Sequence, residues 1–282
     1  MKFSKIKSYA KINLSLNVIK KLKSNFHNIE SIVSFVDLHD VIYLRQINLK
    51  KHKVFFKGRF SKSINNSNTV TRLLEILDKK RILREKKFEL KIIKNIPQKS
   101  GLGGGSMNAS SLINYFIKKK IIKLKKIELE KLSYSIGSDV ILGINPKNTI
   151  LLSNGKIKRF EKKLNYFVLI VKPVIGCSTS MIYKKVRRFC KPKYNNPRQS
   201  LFKKYNLINS ENELENVAFK IYPILKKIKL FLLKLSKVEF VRMTGSGSSV
   251  VAYFDSKIAR DLAAKKFKKK FNNYWCIKSK TV

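Results

Sequence analysis

Residues 8–19 read Ser-Tyr-Ala-Lys-Ile-Asn-Leu-Ser-Leu-Asn-Val-Ile, with apolar and polar positions alternating, and a period of two predicts a β-strand. A polar turn at 21–28 leads to a second strand over 29–36, closed by a turn at Asp37-Leu-His-Asp40. Shorter strands are expected at 41–44 and 54–56. The polar stretch 65–68 can cap a helix over 69–77, whose Leu73, Leu74 and Leu77 share a face. Phe88, Leu90 and Ile92 alternate as another strand, and helices are expected over 109–116 and 126–136. A short strand at 149–152 lies between the turn signals Asn145-Pro146 and Gly155, which places a domain seam near 155. Beyond it come a fully apolar strand at 167–171, a basic surface loop at 187–200, and an amphipathic helix pair over 216–235 broken at Pro223. The strands at 240–243 and 250–254 flank a glycine turn, and a last helix covers 257–267. Strands and helices in this order predict a mixed α/β (α+β) fold.

One segment breaks the pattern. Between the strand ending near Ile92 and the helix at 109, the chain reads Lys94-Asn-Ile-Pro97-Gln-Lys-Ser-Gly101-Leu102-Gly103-Gly104-Gly105-Ser106-Met107-Asn108. Four of the 11 glycines fall within five residues, and glycine is kept where backbone bends sharply or presses against a ligand. A glycine turn opening a helix offers N–H groups and the positive end of a dipole, which together favour phosphate. The stretch is neither of the two common phosphate patterns. No Lys-Ser/Thr follows the last glycine, and it does not follow the first strand as a dinucleotide fingerprint would.

Composition narrows the classes. With 282 residues, 44% of them hydrophobic, the chain can bury a sizeable core as one large or two modest domains. No apolar run approaches the roughly 20 residues needed to span a bilayer. The start lacks the apolar core of a signal peptide, and three unpaired-looking cysteines (Cys177, Cys190, Cys276) fit a reducing cytoplasm. The net charge of +46 points at face value to nucleic acid. However, the lysines scatter through every element in company with Ile, Asn, Phe and Tyr, as AT-rich coding produces. The expectation is therefore weak, salt-sensitive polyanion adhesion without a specific nucleic-acid partner.

Taken in order, these pieces resemble the GHMP kinase superfamily, named for galactokinase, homoserine kinase, mevalonate kinase and phosphomevalonate kinase. The marks are Ala10-Lys11-Ile-Asn13-Leu, Phe26-His27, Phe35-Val-Asp37-Leu-His-Asp40, residues 97–109, Gly137-Ser-Asp139-Val, Ser178-Thr179, Asn196-Pro197, Asn212-Glu-Leu-Glu215 and Thr244-Gly-Ser-Gly247. The triple glycine 103–105 places the likeness in the branch acting on a diphosphocytidyl-bearing methylerythritol. The fold this implies has an ATP-binding domain over 1–155 holding the glycine-rich loop, and a ferredoxin-like substrate-binding domain over 156–282.

The resemblance implies transfer of the γ-phosphoryl of ATP, with Mg²⁺, to the 2-hydroxyl of the methylerythritol unit in isoprenoid precursor synthesis. It makes Asp139 the general base and Lys11 its charged partner, and it assigns no residue as a metal ligand. ATP would meet Lys94, Pro97, Gly101, Leu102, Gly103, Gly104, Gly105, Ser106 and Met107. Asn13, Phe26, His27, Thr179 and Tyr183 would hold the substrate, the aromatic rings against cytosine. The implied enzyme is cytoplasmic, a monomer or homodimer, with a small molecule as its partner.

The chain departs from the family pattern at Ser24-Asn25, at Met107 in place of a serine, at Ile141 in place of a proline, and at Gly155-Lys-Ile-Lys158. Two other readings stay open at this point. One is a kinase of the same superfamily for homoserine or mevalonate, and the other is a basic nucleic-acid-binding protein on a kinase-like fold.

Overall fold

The first alternating stretch forms one strand, β1 (Ser4–Lys21), and a second, longer strand follows as β2 (His27–Ile47). The computed structural model describes residues 2–22, 27–62 and 64–282. After β2 come β3 (Lys53–Lys57), α1 (Thr69–Lys79), β4 (Lys87–Ile93), α2 (Gly104–Lys118) and α3 (Lys126–Ile136). A 3₁₀ turn (Val140–Gly143) leads to β5 (Asn148–Leu151), β6 (Ile157–Phe160), β7 (Phe167–Lys172) and α4 (Thr179–Lys184), and a second 3₁₀ turn (Gln199–Phe202) leads to α5 (Lys204–Ile208). The chain closes with α6 (Leu214–Ile221), α7 (Pro223–Leu233), β8 (Phe240–Met243), β9 (Val250–Phe254), α8 (Lys257–Lys270) and β10 (Trp275–Lys280).

Contacts divide the chain into two interleaved units. The first is Met1–Lys11, Leu38–Gln98 and Gly103–Pro146; the second is Ile12–Asp37, Lys99–Leu102 and Lys147–Val282. β1 and β2 each run from one unit into the other, and β5 packs with the second.

In the first unit, β4 pairs antiparallel with residues 41–47 of β2 and parallel with β3. Parallel neighbours need a crossover, which α1 supplies. Asn68 caps α1, its Oδ1 accepting from Val70 N at 3.0 Å and Thr71 N at 3.2 Å, which bears out the polar cap read from the sequence. Val70, Leu73, Leu74 and Leu77 of α1, Phe88 and Leu90 of β4, and Leu112, Ile113 and Phe116 of α2 are all buried. Phe88 and Phe116 meet with ring centroids 5.0 Å apart.

The turn expected at 37–40 is absent, because β2 continues straight through it. Leu38 and Asp40 point inward and Asp37 outward, so the alternation holds with an aspartate in a core position. What allows a buried carboxylate there is a set of partners distant in sequence, described below.

The second unit has a four-stranded antiparallel sheet in the order β10-β7-β9-β8. Its core packs Leu169, Val171, Val250, Ala252 and Phe254 against Ile228 and Leu232 of α7 and Ala263 and Phe267 of α8. Pro223 stands at the first position of α7, where its missing N–H costs nothing, and so divides the helix pair as expected. β10, which the sequence pattern did not reveal, pairs along its whole length with β7. No described helix is long and apolar enough to cross a membrane.

Candidate active site

In the first unit, Lys11 of β1 and Asp139 meet, with Nζ and Oδ2 3.2 Å apart. The lysine side chain is 4% exposed and the carboxylate 33% exposed. Asp139 sits immediately before the 3₁₀ turn, yet its side chain makes no capping bond there. It is therefore turned to Lys11 and to solvent, the disposition of a group available to a substrate proton.

Gly103 closes over this pair. Its φ is +68°, and a Cβ at that position would lie 2.9 Å from Lys11 Cγ and 3.7 Å from Asp139 Oδ2. Only glycine combines that backbone conformation with that approach. Gly103 is also the N-cap of α2 and has no side chain to bond the first N–H groups of the helix. The loop and the ion pair thus meet at one helix N-terminus.

Gly104 and Gly105 open the helix, and the Gly105 carbonyl accepts from Thr69 Oγ1 at 2.7 Å. Ser106 is half-buried near Gly137, where a Cβ would lie 3.6 Å from its Oγ. Met107 is buried and its sulfur would lie 3.0 Å from a Cβ at Gly143, so this departure from the family pattern serves core packing. Pro97 is buried in the approach to the loop.

Lys94 is also buried, and its ammonium pairs with Asp40. Asp40, wholly buried, also accepts from Asn95 N at 2.7 Å and Ile96 N at 2.9 Å. Burying a charge is tolerated when it is paired and hydrogen-bonded, as here. The Lys94 Nζ would lie 3.5 Å from a Cβ at Gly104, so the pair stands beside the start of α2. Sequence reading gave Asp40 no role beyond its motif, because its partners are more than 50 residues away.

The other expected residues belong to the second unit. A Cβ on Gly101 would collide with the Thr244 carbonyl, and Thr244 Oγ1 donates to the Gly101 carbonyl at 3.1 Å. Leu102 is fully buried. Gly101 is thus held against Thr244, and Leu102 packs in the core. Asn13 donates from its backbone to Thr244 Oγ1 at 3.0 Å and from Nδ2 to Ser31 Oγ at 2.8 Å. Thr179 Oγ1 and Ser246 Oγ lie 2.9 Å apart, tying the start of α4 to the glycine turn between β8 and β9.

His27 opens β2 and its ring lies 5.0 Å from that of Tyr183 on α4, tilted by 34°. Burial, with the nearby Lys21 charge, holds the His27 pKa below the ordinary 6.5. Its ring is therefore neutral at pH 7, with one nitrogen donating and one accepting. Phe26 and the Ser24-Asn25 departure lie outside the described residues. Phe189, which sequence reading passed over as part of a basic loop, stacks near His27 with centroids 6.3 Å apart and planes at 25°.

The family model "GHMP kinases N terminal domain" matches residues 68–146, and "GHMP kinases C terminal" matches 193–273. The chain is 58% identical over 278 residues to the 4-diphosphocytidyl-2-C-methyl-D-erythritol kinase of Pelagibacter ubique (strain HTCC1062), covering 99% of each. It is 30% identical to the enzyme of that name from Clostridium kluyveri, covering 97% of this chain and 99% of that one. Among solved structures it is similar to a 4-(cytidine 5'-diphospho)-2C-methyl-D-erythritol kinase, with a TM-score of 0.77 at 20% identity, covering 98% of this chain and 99% of that one. A homoserine kinase from Cytophaga hutchinsonii shares the fold at a TM-score of 0.67 and 16% identity, with 99% and 94% covered. Two family models in sequence order, and near-complete alignment to a relative at 58% identity, leave a single assignment: the chain belongs to the GHMP kinase family.

Proposed function

We propose that the chain transfers the γ-phosphoryl of ATP to the 2-hydroxyl of 4-diphosphocytidyl-2-C-methyl-D-erythritol, a step in isoprenoid precursor synthesis. The observation that carries the chemistry is the Lys11–Asp139 pair beneath Gly103, at the start of α2. The substrate follows from the 58% identity to a relative of that name over 99% of both chains. A homoserine or mevalonate kinase would share the fold, and it is the triple glycine and the His27–Tyr183 rings that favour the cytidylyl substrate.

In this reading the first unit handles the phosphates and the second the cytidylyl group. Asp139 accepts the proton of the attacking hydroxyl as its oxygen bonds to the γ-phosphorus, and the bridging oxygen leaves with ADP. Lys11 keeps that carboxylate oriented and faces the charge building on the phosphoryl oxygens. The α2 N–H groups hold the phosphates, and Lys94, fixed by Asp40, adds a positive charge beside Gly104. Among the described residues no group of three His, Cys, Asp or Glu could hold a metal unaided. Mg²⁺ needs no such cage, because phosphate oxygens and water supply most of its ligands. Once bound, it neutralises charge on the transferring phosphoryl group.

Competition at high salt tests the base-reading part. Exposed lysines attract any polyanion, but that attraction falls steeply with salt. Cytidine diphosphate should then inhibit with respect to the cytidylyl substrate, and uridine diphosphate less well. Equal inhibition by both would mean that charge, and not the base, is read.

A pH profile tests His27. With its pKa held below 6.5, the ring gains a proton only in acid. KM for the cytidylyl substrate should be flat between about pH 6.5 and 8 and rise on the acid side, while KM for ATP does not follow. A substrate KM that stays flat through the acid limb would remove His27 from recognition.

A further inference from the structure

The basic segment 187–200 has no part in the chemistry above, yet four hydrogen bonds fix its path. Cys190 N donates to the Val18 carbonyl at 3.0 Å. Lys193 N and Tyr194 N donate to the Glu30 carboxylate at 2.8 and 3.2 Å, and Tyr194 OH donates to Ser15 Oγ at 2.8 Å. Glu30 is wholly buried, and a buried carboxylate is costly unless its oxygens are hydrogen-bonded. A glutamate at this core position of β2 is explained by the N–H groups of the segment it holds.

What the tie presents is Phe189, the residue before Cys190. The residue is 45% exposed, and its ring plane lies at 25° to the His27 ring. His27 also contacts Tyr183, so three rings gather at the start of β2. Glu30 lies three residues along the same strand, so the strand that carries the imidazole also carries the anchor. What sets this ring apart is its place beside the His27 and Tyr183 rings, on an irregular segment whose backbone is anchored by a buried charge.

We propose that Phe189 is a further specificity-determining residue, offering a stacking face to the flat base of the substrate, with Glu30 as the positioning residue that holds it. This rests on the cytidylyl reading above. Aromatic stacking tolerates any ring of similar size, so tyrosine at 189 serves where alanine does not.

The test compares wild type with Phe189→Ala, Phe189→Tyr and Glu30→Gln in steady-state kinetics at high salt, with melting temperature followed for each. Phe189→Ala should raise KM for diphosphocytidyl-methylerythritol about tenfold, the scale of one lost base–aromatic stack, and leave kcat and KM for ATP within about twofold. Phe189→Tyr should restore the wild-type KM. Glu30→Gln should shift the same KM in the same direction as Phe189→Ala. If Glu30→Gln does not fold, the Phe189 pair alone carries the test. Wild-type turnover of this substrate with an unchanged KM in Phe189→Ala overturns the inference and leaves the proposed function standing. A loss of stability or kcat without the KM shift overturns it too, as a structural role. A wild-type enzyme that does not turn the substrate over overturns the proposed function itself.

Discussion

Replacing Asp139 by asparagine is expected to lower kcat by about 10²–10⁴, the usual weight of a general base, while ATP still binds. The amide keeps the size of the side chain and cannot take the hydroxyl proton. Because the carboxylate is 33% exposed and makes no capping bond to the 3₁₀ turn, removing its charge should leave the local backbone in place. Circular dichroism and ATP calorimetry on the variant check that expectation. Lys11→Met should cost activity as well, since it leaves the carboxylate without its 3.2 Å cation. Near-normal turnover in Asp139→Asn would mean that the proton goes elsewhere.

The second large effect is expected at Gly103. Valine there would have to hold φ near +68°, a region that costs an L-residue roughly 1–2 kcal/mol and a β-branched one more. It would also press a Cβ to 2.9 Å from Lys11 Cγ and 3.2 Å from Cε, pushing the lysine off Asp139. The same side chain crowds the first turn of α2, where phosphate would sit. Gly103→Val should therefore lose both ATP affinity, by about 100-fold or more, and turnover. Asp139→Asn loses turnover alone. Calorimetry separates the two, and unchanged ATP affinity in Gly103→Val would place the phosphates elsewhere.

Local pattern exposed much of the fold. The helix at 126–136 matches α3, and the strands at 240–243 and 250–254 match β8 and β9, because their apolar spacing and flanking turns are complete within each segment. It failed where a residue is explained by distant partners. Asp40 reads as a turn residue until Lys94, 54 positions later, is seen to neutralise it inside β2. The interleaving of the two units has the same origin, since nothing near residue 12 or 37 marks where β1 and β2 change units. β10, a six-residue strand that follows a lysine-rich helix, becomes a strand only by pairing with β7.

The site was legible to a different degree. Glycine spacing alone marked the loop, and Gly103 has the positive φ and the close approach that such spacing requires. Lys11 and Asp139 are single residues in unrelated segments, and only the order of motifs along the chain paired them. Phe189 carried no signal at all, because its neighbours Arg187, Arg188 and Lys191 make the segment read as a solvated loop. Glu30, Val18 and Ser15, which fix that segment, lie far away in sequence.

The central claim is the acceptor, and substrate-dependent ADP release measures it most directly. Purified enzyme with ATP and Mg²⁺ should release ADP steadily when given 4-diphosphocytidyl-2-C-methyl-D-erythritol, and not above background with homoserine or mevalonate. Turnover of homoserine or mevalonate in preference, or none with the cytidylyl substrate, would contradict the account.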